Sequence, residues 1–270
     1  APELEVLLPG GKDRNKELGT YLSEQRLCKD AIEVAALERA CDATRMGFED
    51  VIARLKTGTS EREVEGVFAL RARVDGNDLG YHVIAASGPN ACTLHYHKND
   101  GYLRKSDLLL LDAGVESREL YTADVTRTLP IGGKFTQAQR VVYDLVAEAQ
   151  SAAIDAVVPG QDFLAPHRAA MKVLATGLQR LGILHGSVDE ALQEENQSYR
   201  RYTLHGTSHM LGLDVHDCAC ARNEVYRGGK LEVVVDQVAA LDRLGDRRRE
   251  LLRLALADRA EEIDVAAGAG

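Results

Sequence analysis

Apolar residues recur at helical spacing between residues 29 and 56, where Ile32, Val34, Ala35, Leu37, Cys41, Met46, Val51, Ile52 and Leu55 form one stripe. A stripe of that period predicts a long amphipathic helix. Gly58 and Thr59 break it, and Ser60 followed by Glu63 has the capping-box pattern that starts a second helix running to about Val74. The segment GNDLG then turns the chain, and the period changes. HVIAA at 82–86 is apolar and is followed by the turn SGPN; DLLLLDAG at 107–114 carries a continuous apolar run. A run of that kind suits a strand buried on both faces. ELYTADVTRTLPIGG alternates and ends in turn residues, so it reads as another strand. Thr136 caps a predicted helix through Val157, with Val142, Leu145, Val146 and Ala149 on one face, and a further helix is predicted over 162–182. RYTLHGTSHMLGLDVHD is strand-like with glycine breaks, LEVVVDQV reads as a short strand, and 239–260 as a helix rich in Leu and Arg. Residues 1–22 are polar and read as a linker or the remnant of an N-terminal domain. Helices, strands, helices and strands in that order predict one α+β domain over 23–270.

Composition narrows the picture. Hydrophobic residues make up 45% of the 270, Trp is absent and there are four Phe, so the core must be built mostly from Leu, Val, Ile and Ala. A formal charge of -9 argues against binding nucleic acid or an anionic membrane by bulk electrostatics. The five cysteines (Cys28, Cys41, Cys92, Cys218 and Cys220) lack the even, regular spacing of a disulfide framework. Cys218 and Cys220 form a C-x-C pair with no second pair to complete a zinc site. Reduced thiols and a cytoplasmic location are the simpler expectation. The first residues show no basic region followed by an apolar run. No apolar stretch approaches the roughly 20 residues of a membrane span.

The chemistry gathers in two blocks. Six of the eight histidines fall in them: His82, His95 and His97 in the first, His205, His209 and His216 in the second. Asp112 and Asp124 lie between the blocks. Asp112 ends the run LLLL, where a carboxylate is costly to desolvate unless a cation compensates it; the plainer reading is a turn residue that caps its own backbone. Asp124 sits inside a strand-like segment, where Asp is depleted, and either a metal or Arg127 would answer its charge. A single histidine is more often a hydrogen-bonded core residue than a ligand, but three of them among glycines and small residues shift the balance. Two carboxylates and an imidazole make a mixed oxygen and nitrogen site that suits manganese, cobalt or zinc better than calcium. Bridging carboxylates also permit two metals about 4 Å apart.

Three segments carry a resemblance: ASGPNACTLHYHKN (86–99), LLLLDAGVESRELYTADVTRTLPIGGKFTQAQRVVYDLV (108–146) and HGTSHMLGLDVHD (205–217). In this order they resemble the pita-bread metallopeptidases, and within them the aminopeptidase P family, over about residues 20–232. The resemblance implies a creatinase/aminopeptidase fold, a curved and mainly antiparallel sheet flanked by helices. It also implies two divalent metals, commonly manganese, held by five ligands in the order Asp, Asp, His, Glu, Glu. Matched motif by motif, Asp112, Asp124 and His209 are the first three ligands, and His95, His205 and His216 are substrate-side catalytic residues. The tail from Val233 departs from the family, reading as diverged or damaged. A Val-Glu-Pro-Gly segment should carry the fourth ligand, but the chain reads LEVVVDQVAALD, with Asp236 nearest the expected position. An Arg-x-Glu-Asp strand should carry the fifth, and the nearest match is Arg259-Ala260-Glu261-Glu262, so Glu261 or Glu262 falls there.

The activity implied is metal-assisted release of the N-terminal residue from peptides with proline in second position, with Glu261 or Glu262 as the candidate general base. The peptide is the expected partner, nucleic acid and membrane are not, and a homo-oligomer is expected. Two alternatives stay open: a prolidase or creatinase-like hydrolase of the same fold, or an inactive binding domain that has lost metal ligands.

Overall fold

The computed structural model describes residues 11–158, 161 and 163–217. Its helices are α1 (Gly11–Leu27), α2 (Ala31–Arg54), α3 (Glu61–Asp75), α4 (Gln137–Asp155), α5 (Ala165–Arg180) and α6 (Val188–Leu192). Its strands are β1 (Asp78–Leu79), β2 (Ile84–Ser87), β3 (Leu108–Ala113), β4 (Val115–Glu116) and β5 (Val125–Pro130). Among the described residues every strand pairing is antiparallel: β2, β3 and β5 form one sheet with β3 in the centre, and β1 pairs β4. The class is α+β, as expected.

Local signals place the helices well. Asp30 caps α2 by accepting from the backbone of Ile32 and Glu33, and Glu33 answers on the Asp30 backbone. The Ser60 side chain accepts from Glu63 N at the start of α3. Thr136 and Gln139 close a reciprocal capping box on α4. Helix α1 is a departure, because residues 11–22 are helical where a linker was expected, and the boundary drawn at 22/23 falls inside it. It has no apolar stripe, so periodicity could not reveal it. No described helix is long and apolar enough to cross a membrane.

The main core lies between α2, α3 and one face of the central sheet. Phe48 and Phe68 meet edge to face with ring centroids 5.7 Å apart, a favoured aromatic geometry. Gly47 lets the helices come this close, since a Cβ there would lie 2.7 Å from the Phe68 ring. Leu109, Leu111 and Ala113 of β3 are fully buried in this core, while the alternate residues Leu108, Leu110 and Asp112 are half-buried. The strand expected to be buried on both faces is therefore sealed on one. A second core sits between α4 and α5, with Ala149, Ala153, Ala170, Met171 and Ala175 at its centre. Of the α4 face read from sequence, Leu145 and Ala149 point inward, whereas Val142 and Val146 are exposed.

Two strand expectations fail. The strand expected over ELYTADVTRTLPIGG begins only at Val125, so Asp124 precedes it and its side chain is committed to the site. RYTLHGTSHMLGLDVHD holds no strand. Ser208 takes a positive φ of 69°, which breaks an extended ladder, and the segment is pinned at separate points instead. Thr122 N donates to Gly212 O, Asp217 N donates to Met210 O, and His167 Nδ1 lies 3.2 Å from Thr207 Oγ1. The expected strand LEVVVDQV and the helix over 239–260 lie outside the described residues.

Candidate metal centre

The register of the central sheet builds the acidic half of the site. Asp112 pairs Thr126 across β3 and β5. Residues two apart in extended chain share a face, so Asp124 projects beside Asp112, on the face away from the α2–α3 core. Tyr81, at the turn before β2, closes the gap: its hydroxyl lies 2.6 Å from Asp112 Oδ1 and 2.8 Å from Asp124 Oδ1. The second histidine block supplies the remainder. His209 Nε2 is 2.9 Å from Asp124 Oδ2, and its Nδ1 is 3.0 Å from Met210 O. His216 packs on His209 with ring centroids 4.2 Å apart. Asp124, His209 and His216 each present one ligand atom within 4.8 Å of the others.

The electrostatics of the two aspartates diverge. Burial pushes Asp112 above the ordinary carboxylate range, helped by the charge of Asp124 and opposed by hydrogen bonds from Tyr81 and Thr126. Burial also opposes ionisation of Asp124, but hydrogen bonds from His209 and Tyr81 and the nearby imidazoles outweigh it, and its pKa is lowered. The hydrogen bond to Asp124 raises His209 above the usual imidazole range, against the effect of burial. Burial raises the Tyr81 phenol, and the two carboxylates raise it further.

These residues fit a divalent cation. One phenol carries one proton and can donate to only one carboxylate, yet two carboxylate oxygens stand at hydrogen-bond distance from it. Such crowding of negative charge in a half-buried site calls for a positive partner beyond the histidines. Both ring nitrogens of His209 face oxygen, and the Met210 carbonyl on Nδ1 orients the ring so that Nε2 is directed at the acids, as a metal-binding imidazole requires.

Of the residues singled out from sequence, Asp112, Asp124, His209 and His216 converge. His95 is near enough for its charge to act on Asp112; His205 stands against it with ring centroids 6.2 Å apart, and His97 and His82 continue the row beyond His95. Asp236, Glu261 and Glu262 lie outside the described residues. Asp124 finds Tyr81 and His209 as partners, where sequence had offered Arg127. Sequence reasoning missed Tyr81 altogether. Its signal was slight: an aromatic at the end of the turn GNDLG, next to His82.

Comparison with known proteins agrees with this geometry. Residues 35–238 match the model of metallopeptidase family M24. The chain is 54% identical over 222 residues to Xaa-Pro aminopeptidase 1 of Streptomyces coelicolor, a match covering 82% of this chain and 45% of that protein. Its structure is similar to the zinc-substituted aminopeptidase P of Escherichia coli in complex with product (TM-score 0.70, 39% identity), over 73% of this chain and 44% of that one. It is also similar to the aminopeptidase PepP of Pseudomonas aeruginosa (TM-score 0.71, 37% identity), over 74% of this chain and 45% of that one. The chain thus spans less than half the length of each of these relatives. The fold is the α+β pita-bread fold of the aminopeptidases, and Tyr81, Asp112, Asp124, His209 and His216 all lie within the matched region. On the family match, the relatives and the shared fold together, this chain belongs to metallopeptidase family M24.

Proposed function

We propose that the chain is the catalytic part of a metal-dependent exopeptidase that releases the N-terminal residue from peptides with proline in second position. The observation that carries this reading is the convergence of Asp112 and Asp124 on the Tyr81 hydroxyl, with His209 Nε2 on the other oxygen of Asp124. The similarity to Xaa-Pro aminopeptidases supports the substrate class. Asp112, Asp124 and His209 would hold two divalent metals, manganese by preference, with Asp236 and Glu261 completing the set. The metals would supply an acidified water as nucleophile and polarise the scissile carbonyl. Tyr81 keeps the two aspartates in register. His95 and His216 border the acids and His205 stands against His95, so the three would donate to oxygen as negative charge develops there, or move a proton to the departing amine. Residues 23–270 would form this catalytic part. The free thiols of Cys28 and Cys92 support a reducing, cytoplasmic setting.

The test is hydrolysis of an Xaa-Pro peptide by the full chain with added manganese, beside metal analysis. Asp112→Ala and Asp124→Ala should each abolish both hydrolysis and metal binding while circular dichroism stays that of the parent. Normal metal content and activity in either variant would overturn the assignment.

A further inference from the structure

Glu61 is the most deeply buried carboxylate among the described residues, with 0% of its surface exposed, and none of the chemistry above uses it. It opens α3, where the helix N-terminus favours negative charge. Its Oε1 accepts from Ser87 N at 2.7 Å, from Ser87 Oγ at 2.8 Å and from Asn90 Nδ2 at 3.1 Å. Its Oε2 accepts from Gly101 N at 2.7 Å and from Asn90 Nδ2 at 3.1 Å. Every one of these neighbours is a donor, which suits the acceptor-only form of a carboxylate.

The partners share a location. Ser87 and Asn90 begin the loop between β2 and β3, and Gly101 is near its far end; His95 lies at its middle. One side chain therefore closes the loop that carries the imidazole. The closure is tight, because a Cβ at Gly101 would lie 2.7 Å from Asn90 Nδ2 and 2.9 Å from Glu61 Cδ. A second buried side chain repeats the device: Asn99 accepts from Ala85 N and donates to Val83 O and Glu65 Oε2. The loop needs such support. His95 and Asn99 both take positive φ, 51° and 46°, and residues other than glycine persist there when their surroundings hold them.

We propose that Glu61 is a positioning residue for His95: its buried carboxylate closes the base of the 88–101 loop and sets the imidazole against His205, beside the acids. This rests on the peptidase reading for its catalytic consequence, though the loop geometry stands apart from it. Glu61→Gln keeps the shape of the side chain but turns an amide N–H pair towards groups that are themselves donors.

The experiment is a double-mutant cycle on the manganese-loaded full chain with Glu61→Gln, His95→Ala and both, joined to imidazole NMR of the same proteins in metal-free form. Glu61→Gln should lower kcat on an Xaa-Pro peptide about 10- to 100-fold, the range seen when support of a site is lost, with manganese content unchanged. In the His95→Ala background the same substitution should cost less than about 3-fold, since two residues acting as a unit do not add. Equal loss in both backgrounds overturns the proposal. Glu61→Gln should also shift and broaden the His95 and His205 resonances while leaving that of His167; an unchanged His95 resonance overturns it too. A parent chain that cleaves no Xaa-Pro peptide refutes the peptidase reading alone, and the resonances still decide the role of Glu61. If Glu61→Gln does not fold, Asn90→Ala keeps the carboxylate and removes one donor. It should move the His95 resonance in the same way, and no movement overturns the proposal.

Discussion

Lys29 Nζ lies 2.9 Å from Asp217 Oδ2, with both side chains only 1% exposed. Lys29 sits in the link between α1 and α2, and Asp217 directly follows His216, so the pair ties the second histidine block to the helical layer across 188 residues of sequence. Arg26 joins it by pairing with Asp217 and, at 2.7 Å, with Asp214. Gly212 makes room, since a Cβ there would meet the Asp217 carboxylate. Removing one partner of a buried pair leaves an uncompensated charge and costs about 3–5 kcal/mol. Arg26 still answers Asp217 when Lys29 is removed, and Arg26 keeps Asp214 when Asp217 is removed, so the stranded charge is Lys29. Asp217→Leu should therefore destabilise the protein by about that amount in urea unfolding, while Asp217→Leu with Lys29→Met should recover most of the loss. A double variant no more stable than the single would show that the pair does not anchor the segment.

Tyr81→Phe removes the hydroxyl shared by Asp112 and Asp124 and little else. The acids would keep their strand positions but lose the group that holds them in register. Manganese affinity should fall about 10- to 100-fold, the usual consequence of losing support for ligands. Titration calorimetry of the metal-free protein measures it, and an unchanged affinity would make Tyr81 a packing residue.

The histidines should separate by role. His209 contacts Asp124 directly and is the proposed imidazole ligand, so His209→Ala should lower manganese occupancy. His95→Ala and His216→Ala should keep their metal and lose turnover, by 10²-fold or more if they act as general acids, a typical contribution of about that size. His216 is the sharper test, because its ring lies against His209 and its ligand atom is within 4.8 Å of the same group. Metal loss in His216→Ala equal to that in His209→Ala would make it a ligand.

The tail sets the last prediction. With the Val-Glu-Pro-Gly and Arg-x-Glu-Asp patterns missing, Asp112, Asp124 and His209 are the well-matched donors, and three donors define a second metal poorly. Asp is one methylene shorter than Glu, so in the proposed fourth-ligand role Asp236 would reach less far than a Glu. Metal should bind more weakly than in a relative with intact motifs, by at least about 10-fold. Restoring Val-Glu-Pro-Gly at 234–237 should tighten it. Tight binding of two metals by the unaltered chain, insensitive to Asp236→Ala and Glu261→Ala together, would show that other residues complete the site.

Much of the fold was legible because its signals are local. The stripe from Ile32 to Leu55, the caps at Ser60 and Thr136 and the run before Asp112 each act within a few residues, and the helices and strands they announce lie within a residue or two of where they were expected. The order of Asp112, Asp124 and His209 within recognisable motifs was legible for the same reason. What the chain could not declare depends on distance in sequence. Asp124 and His209 are 85 residues apart, Tyr81 and Asp112 31, and Glu61 and Gly101 40. A carboxylate at the start of a helix reads as an ordinary exposed acid until the loop it holds has folded onto it. The segment 201–217 reads as a strand from its composition but is shaped by a buried ion pair, a single backbone bond to Thr122 and a contact to His167. Hydrogen bonds between distant residues form only once hydrophobic burial has brought their elements together, so tertiary structure alone decided which side chains hold the site.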